Sequence, residues 1–72
     1  MTPNQAQALG LDIRPDGAKA LVVLYKGAAF AWVERSQRDR HLWRGVTVSG
    51  ALFHARTVSE LIDTLAANLP PS

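Results

Sequence analysis

The sequence has no cysteine, a single methionine, two histidines and five aromatic residues. Without cysteine there can be no disulfide and no thiolate zinc site, so stability must come from packing or from association. His41 and His54, with no carboxylate pair at ligand spacing, make a poor donor set, and neither metal nor cofactor is expected. The hydroxyls Ser36, Ser49, Thr57 and Ser59 lie outside any nucleophile motif, and Lys26-Gly27 and Ser49-Gly50 are not phosphate loops, so no enzyme activity is expected. No run approaches the roughly 20 apolar residues that span a membrane, and Met-Thr-Pro-Asn-Gln-Ala-Gln lacks the basic and apolar regions of a secretory signal. A cytoplasmic protein with no membrane partner is the expectation.

What the chain does contain is concentrated between Lys19 and Glu34, where two apolar runs flank Lys26-Gly27. This reads as a β-hairpin with a two-residue turn, because glycine supplies the positive φ that such turns require. Simple alternation then puts Leu21, Val23, Tyr25, Ala28, Phe30 and Trp32 on one face and Ala20, Val22, Leu24, Ala29, Ala31 and Val33 on the other. Both faces are apolar, so both call for a cover. The alanine-rich face is the one expected to receive a helix, since small side chains permit close approach.

The flanking segments complete an α+β pattern. Thr2-Pro3 opens a short helix that Gly10 closes, with Thr2 as N-cap. Leu11-Asp12-Ile13-Arg14 alternates as an edge strand before the Pro15-Asp16-Gly17 turn. Residues 41–48 alternate again, with Leu42, Val46 and Val48 opposite His41, Trp43 and Thr47, and residues 51–55 form a last short strand or an extended lead into a helix. Thr57-Val-Ser-Glu60 is a capping box, and Val58, Leu61, Ile62, Leu65 and Leu69 form one helical stripe ended by Pro70-Pro71. The fold predicted is a single small domain over residues 1–72. It has an antiparallel β-meander of three to five strands against one C-terminal amphipathic helix, a short N-terminal helix, and loose ends at 1–10 and 70–72.

A functional surface has to be sought in what the fold leaves over. Tyr25, Phe30 and Trp32 are expected to share a sheet face that Trp43 joins, amounting to roughly 600–1,000 Å² of aromatic surface. Either residues 1–13 fold over this face or another molecule covers it, a homodimer being one way to do so. Charge is uneven as well: residues 1–33 carry +1, residues 34–56 carry +3, and residues 57–72 carry −2. The basic middle holds Arg35, Arg38, Arg40, His41 and Arg44 beside Trp32 and Trp43.

Two functions fit these residues. The first is a non-enzymatic protein-interaction module, an adaptor or inhibitor of a larger protein assembly that can act as a homodimer. Tyr25, Phe30, Trp32 and Trp43 would be its anchors, and Arg38, Arg40 and Arg44 would orient the partner. The alternative is a nucleic-acid-binding regulator in which Arg35, Arg38, Arg40, His41 and Arg44 contact phosphates and the tryptophans stack on bases. The helix–strands–helix order is shared with double-stranded RNA-binding domains. The last helix here begins Val-Ser-Glu-Leu, however, and lacks the lysine cluster those domains set against phosphates.

Overall fold

The computed structural model, which describes residues 2–69, runs α1 (Pro3–Ala8), β1 (Leu11–Asp16), β2 (Ala20–Tyr25), β3 (Ala28–Arg35), β4 (Trp43–Thr47), β5 (Leu52–Ala55) and α2 (Val58–Ala66). The strands make one antiparallel sheet in the order β1-β2-β3-β4-β5, as the alternating segments predict. Both helices are capped by threonine. The Thr2 hydroxyl accepts from the Gln5 amide at 3.2 Å while Gln5 Oε1 accepts from the Thr2 amide at 2.9 Å, and Thr57 Oγ1 accepts from the Glu60 amide at 3.1 Å. The α2 stripe buries Leu61, Ile62 and Leu65. Helix α2 ends at Ala66, ahead of the proline pair, and the Pro70-Pro71 stop and the loose end expected over 70–72 lie outside the described residues.

One local expectation changes. Strand β1 continues through Pro15 and Asp16, and the turn occupies residues 17–19. Proline is tolerated there because β1 is an edge strand and Pro15 sits where its missing N–H would point away from β2. In α1 it is Ala6 that joins the core, while Leu9 stays exposed.

The larger change lies within the hairpin. Lys26 (φ 51°) and Gly27 (φ 85°) form a two-residue turn with positive φ at both positions, and Tyr25 pairs with Ala28 as expected. The pairing then shifts, because Leu24 faces Ala29 but Val23 faces Ala31, leaving Phe30 as an extra residue in β3. This β-bulge sends Phe30 and Ala31 to the same side of the sheet, and beyond it every residue of β3 takes the face opposite to the one that plain alternation predicts. Val22, not Leu21, is therefore the partner of Trp32, and Val33 joins Leu21 and Val23.

Both helices cover the face that carries Leu11, Leu21, Val23, Phe30, Ala31, Val33, Gly45 and Phe53. The α1 segment lies beside α2 and does not cross to the other side. Leu61, Leu65, Val23 and Val33 are fully buried in this single layer. Gly45 is what lets α2 approach, since a Cβ at this position would meet Leu61 Cδ1 at 3.2 Å and Cγ at 3.4 Å.

Gly45→Ala gains some backbone rigidity but drives a methyl group into a leucine with nowhere to withdraw. The overpacking term should win, lowering unfolding free energy by about 1 kcal/mol. Urea denaturation followed by far-UV circular dichroism measures this. A raised midpoint would mean that Leu61 has room the packing does not suggest.

Candidate functional site

The sheet face away from the helices is built from three transverse rows fixed by strand register. The middle row is Arg14, Val22, Trp32, Val46 and Leu52. One flanking row is Asp16, Ala20, Glu34, Arg44 and His54, and the other starts Asp12, Leu24 and Ala29. Apolar groups thus occupy the centre, with ionisable groups at both ends. Trp32 is 39% exposed and Leu52 54% exposed, and no described element lies over them.

The electrostatics of this face are local. Arg14 Nε donates to Asp12 Oδ2 at 2.7 Å along β1. Arg44 Nη2 lies 3.8 Å from Glu34 Oε1, across the β3–β4 pair, and Arg44 Nε is buried without an acceptor among the described residues. Trp32, Glu34 and Arg44 also line a surface groove with Asp16, Ala20 and Val46.

The single aromatic face expected from the sequence does not form. The bulge turns Phe30 inward, where it is buried and meets the ring of Tyr25 edge-on, with centroids 6.4 Å apart. Trp43 packs against the same core beside β5. Tyr25, Phe30 and Trp43 therefore belong to the helix side, and Trp32 alone of the four stands on the open side. Nor do residues 2–13, the described part of the segment expected to cover it, lie over this side, because α1 packs on the helix side.

The arginine segment forms a self-tied loop at one end of the sheet. The Ser36 amide donates to the Leu42 carbonyl at 3.0 Å, the Leu42 amide to the Asp39 carbonyl at 3.0 Å, and the His41 amide to Asp39 Oδ1 at 2.9 Å. Asp39 thus spends its carboxylate on the backbone of its own loop. Arg35 lays its guanidinium over the Trp43 ring, 4.4 Å from the centroid, and donates to the Arg40 carbonyl. Arg38, Arg40 and His41 are exposed. Lys19, Arg35 and Arg40 line one groove with Glu34, Gln37 and Trp43.

Of the anchor residues named from the sequence, the structure brings only Trp32 and Arg44 together on an uncovered surface. The residues that sequence reasoning missed are Val22, Leu24, Val46 and Leu52. The sequence places Val22 and Leu24 on the face expected to receive a helix, Val46 opposite Trp43, and Leu52 in a last short strand with no face given. The missed signal was Gly45, for a glycine inside an alternating strand marks a close approach, and it shares its side with Trp43 and Thr47.

No helix among the described residues is long and apolar enough to cross a membrane. No group of three or more metal-ligating side chains occurs among them.

Because Trp43 packs against the core, Trp43→Ala should cost about 2–3 kcal/mol of stability, whereas Arg35→Ala, removing an exposed cation from its ring, should cost under about 1 kcal/mol. Equilibrium unfolding of the two variants checks the order. Equal losses would mean that the stacked arginine, rather than ring burial, holds this corner.

Set against protein-family models, curated proteins and solved structures, the chain matches none.

Proposed function

We propose that this chain is a non-enzymatic protein-interaction module that binds another protein through the open face of its sheet, with Trp32 as the central anchor. The observation that carries this reading is the uncovered apolar row Val22–Trp32–Val46–Leu52, with Arg14 at its β1 end and Glu34 and Arg44 in the row beside it. A central aromatic ringed by aliphatic groups, with charge at the periphery, is the anatomy of a binding hot spot. Leu24 extends the apolar surface on one side. Arg44 on the face and Arg38 and Arg40 in the adjoining loop supply the orienting charge. Such a surface suits an adaptor or an inhibitor of a larger assembly.

A second reading rests on the arginine loop. Arg38 and Arg40 are exposed and lack a carboxylate partner among the described residues, and Arg40 lines a groove with Lys19 and Arg35, which favours an anionic ligand such as nucleic acid. Base stacking is less well served, since the Arg35 guanidinium already lies over the Trp43 ring.

The two readings separate in a pull-down with the full chain from nuclease-treated lysate. The interaction module predicts that wild type retains protein, that Trp32→Ala retains at least about tenfold less, and that the Arg38→Ala/Arg40→Ala pair, which removes only orienting charge at the rim, shows a smaller loss of under about fivefold. Material lost on nuclease treatment, or released steeply by salt and dependent on the two arginines, would overturn that reading in favour of nucleic acid.

A further inference from the structure

Resting on the reading of the open face as a protein-binding surface, we propose that its occupant is a second copy of the chain. The two copies pack face to face about a twofold axis that runs along β3 through Trp32. Trp32 lies in the middle row of three on the middle strand of five, so the bulkiest apolar group of the face sits at its geometric centre. A surface of that kind can meet its own copy with the two anchors at the axis, as an isologous interface requires.

Charge selects the direction of the axis. The β1 end of the face carries Asp12, Arg14 and Asp16, a net negative edge, whereas the β4–β5 end carries Arg44 and His54. Rotation about the strand direction lays β1 over β5 of the second copy and β2 over its β4. Val22 then meets Val46 of the second copy, and the row that begins with Asp16 meets the end of the same row that holds Arg44 and His54. Histidine can donate to a carboxylate whether its ring is charged or neutral. Arg44 also has donors to spare, because Glu34 approaches only Nη2, at 3.8 Å. The like-charge contact of this axis is Glu34 on Glu34 of the second copy, each beside its own Arg44 at 3.8 Å. An axis across the strands would instead lay β1 on β1, bring Asp12 against Asp16 twice and set Arg14 on Arg14, contacts with fewer counter-charges that disfavour it.

The size of the face sets the expected strength. Two rows spanning five strands at about 4.8 Å spacing and a third spanning three, with rows roughly 6.7 Å apart, give a projected area of about 420 Å² per copy. That is the range of a weak, reversible dimer rather than an obligate one. The packing is that of two aligned sheets about 10 Å apart, the arrangement that buries both inner faces of a sandwich.

Sedimentation equilibrium of the full chain over a concentration series tests this. The wild-type mass should climb from 7.8 kDa toward twice that value. Trp32→Arg should remain monomeric throughout while keeping its far-UV circular dichroism spectrum. Asp16→Lys should weaken association about tenfold, and adding His54→Asp to it should restore most of the loss, because the exchanged charges face each other across the axis. A wild-type chain that stays monomeric at every concentration overturns the proposal. So does a dimer that Trp32→Arg leaves intact, or a double variant no better than Asp16→Lys alone. If the wild type is monomeric yet captures a different protein through Trp32, the proposed occupant fails while the binding face stands. If Trp32 affects neither association nor capture, the reading of the face fails as well.

Discussion

One extra residue in β3 decides which side chains this molecule keeps for itself. With Phe30 inserted between the Leu24–Ala29 and Val23–Ala31 pairs, consecutive residues Phe30 and Ala31 both point at the helices. The period-two rule then restarts out of phase, placing Val33 inside and Trp32 outside. Remove the bulge in thought and Trp32 would lie under α2, where the close approach at Gly45 leaves no space for an indole. The packed layer and the exposed face are therefore two consequences of a single irregularity. The bulge also directs the Phe30 carbonyl to the Val48 amide at 2.9 Å, which ties the end of β4 into the same arrangement.

The layer that results is one-sided. A chain of this length buries about 60–65% of its unfolded surface, and here both helices spend their apolar stripes on one face. Fully buried groups such as Leu61 and Val23 contribute on the order of 1.5–3 kcal/mol each. Their counterparts across the sheet, Val22 and Val46, are only half buried and realise part of that gain. The remainder is available to whatever molecule covers the face. The sheet edges are guarded differently, by Pro15 in β1 and by the brevity of β5, so the architecture favours contact through the face over extension of the sheet.

Much of the fold was legible in the residues, for reasons that differ from element to element. Thr2 and Thr57 announce their helices because a cap hydroxyl has few other uses at that position. Lys26-Gly27 announces the hairpin because few dipeptides close so tight a turn. The bulge was not legible, since Ala28-Ala29-Phe30-Ala31-Trp32-Val33 is apolar throughout and carries no alternation from which a phase change could be read. That one omission moved Trp32 to the wrong company, while the expectation that small side chains mark the helix-covered face placed the helix on the wrong side. Gly45 held the correcting information. Its meaning depended on knowing that Leu61 would arrive above it, a contact between distant parts of the chain that local pattern does not reveal.

The claim on which the account rests is that the face around Trp32 is exposed in the isolated chain and is covered on association. The most direct measurement follows Trp32 emission in a Trp43→Phe background, with iodide as quencher, across a concentration series and then with any captured partner added. The account predicts red-shifted, readily quenched emission at low concentration that becomes blue-shifted and protected as the complex forms. Emission that is already protected at the lowest concentration, or that stays open to iodide in every complex the chain forms, would contradict it.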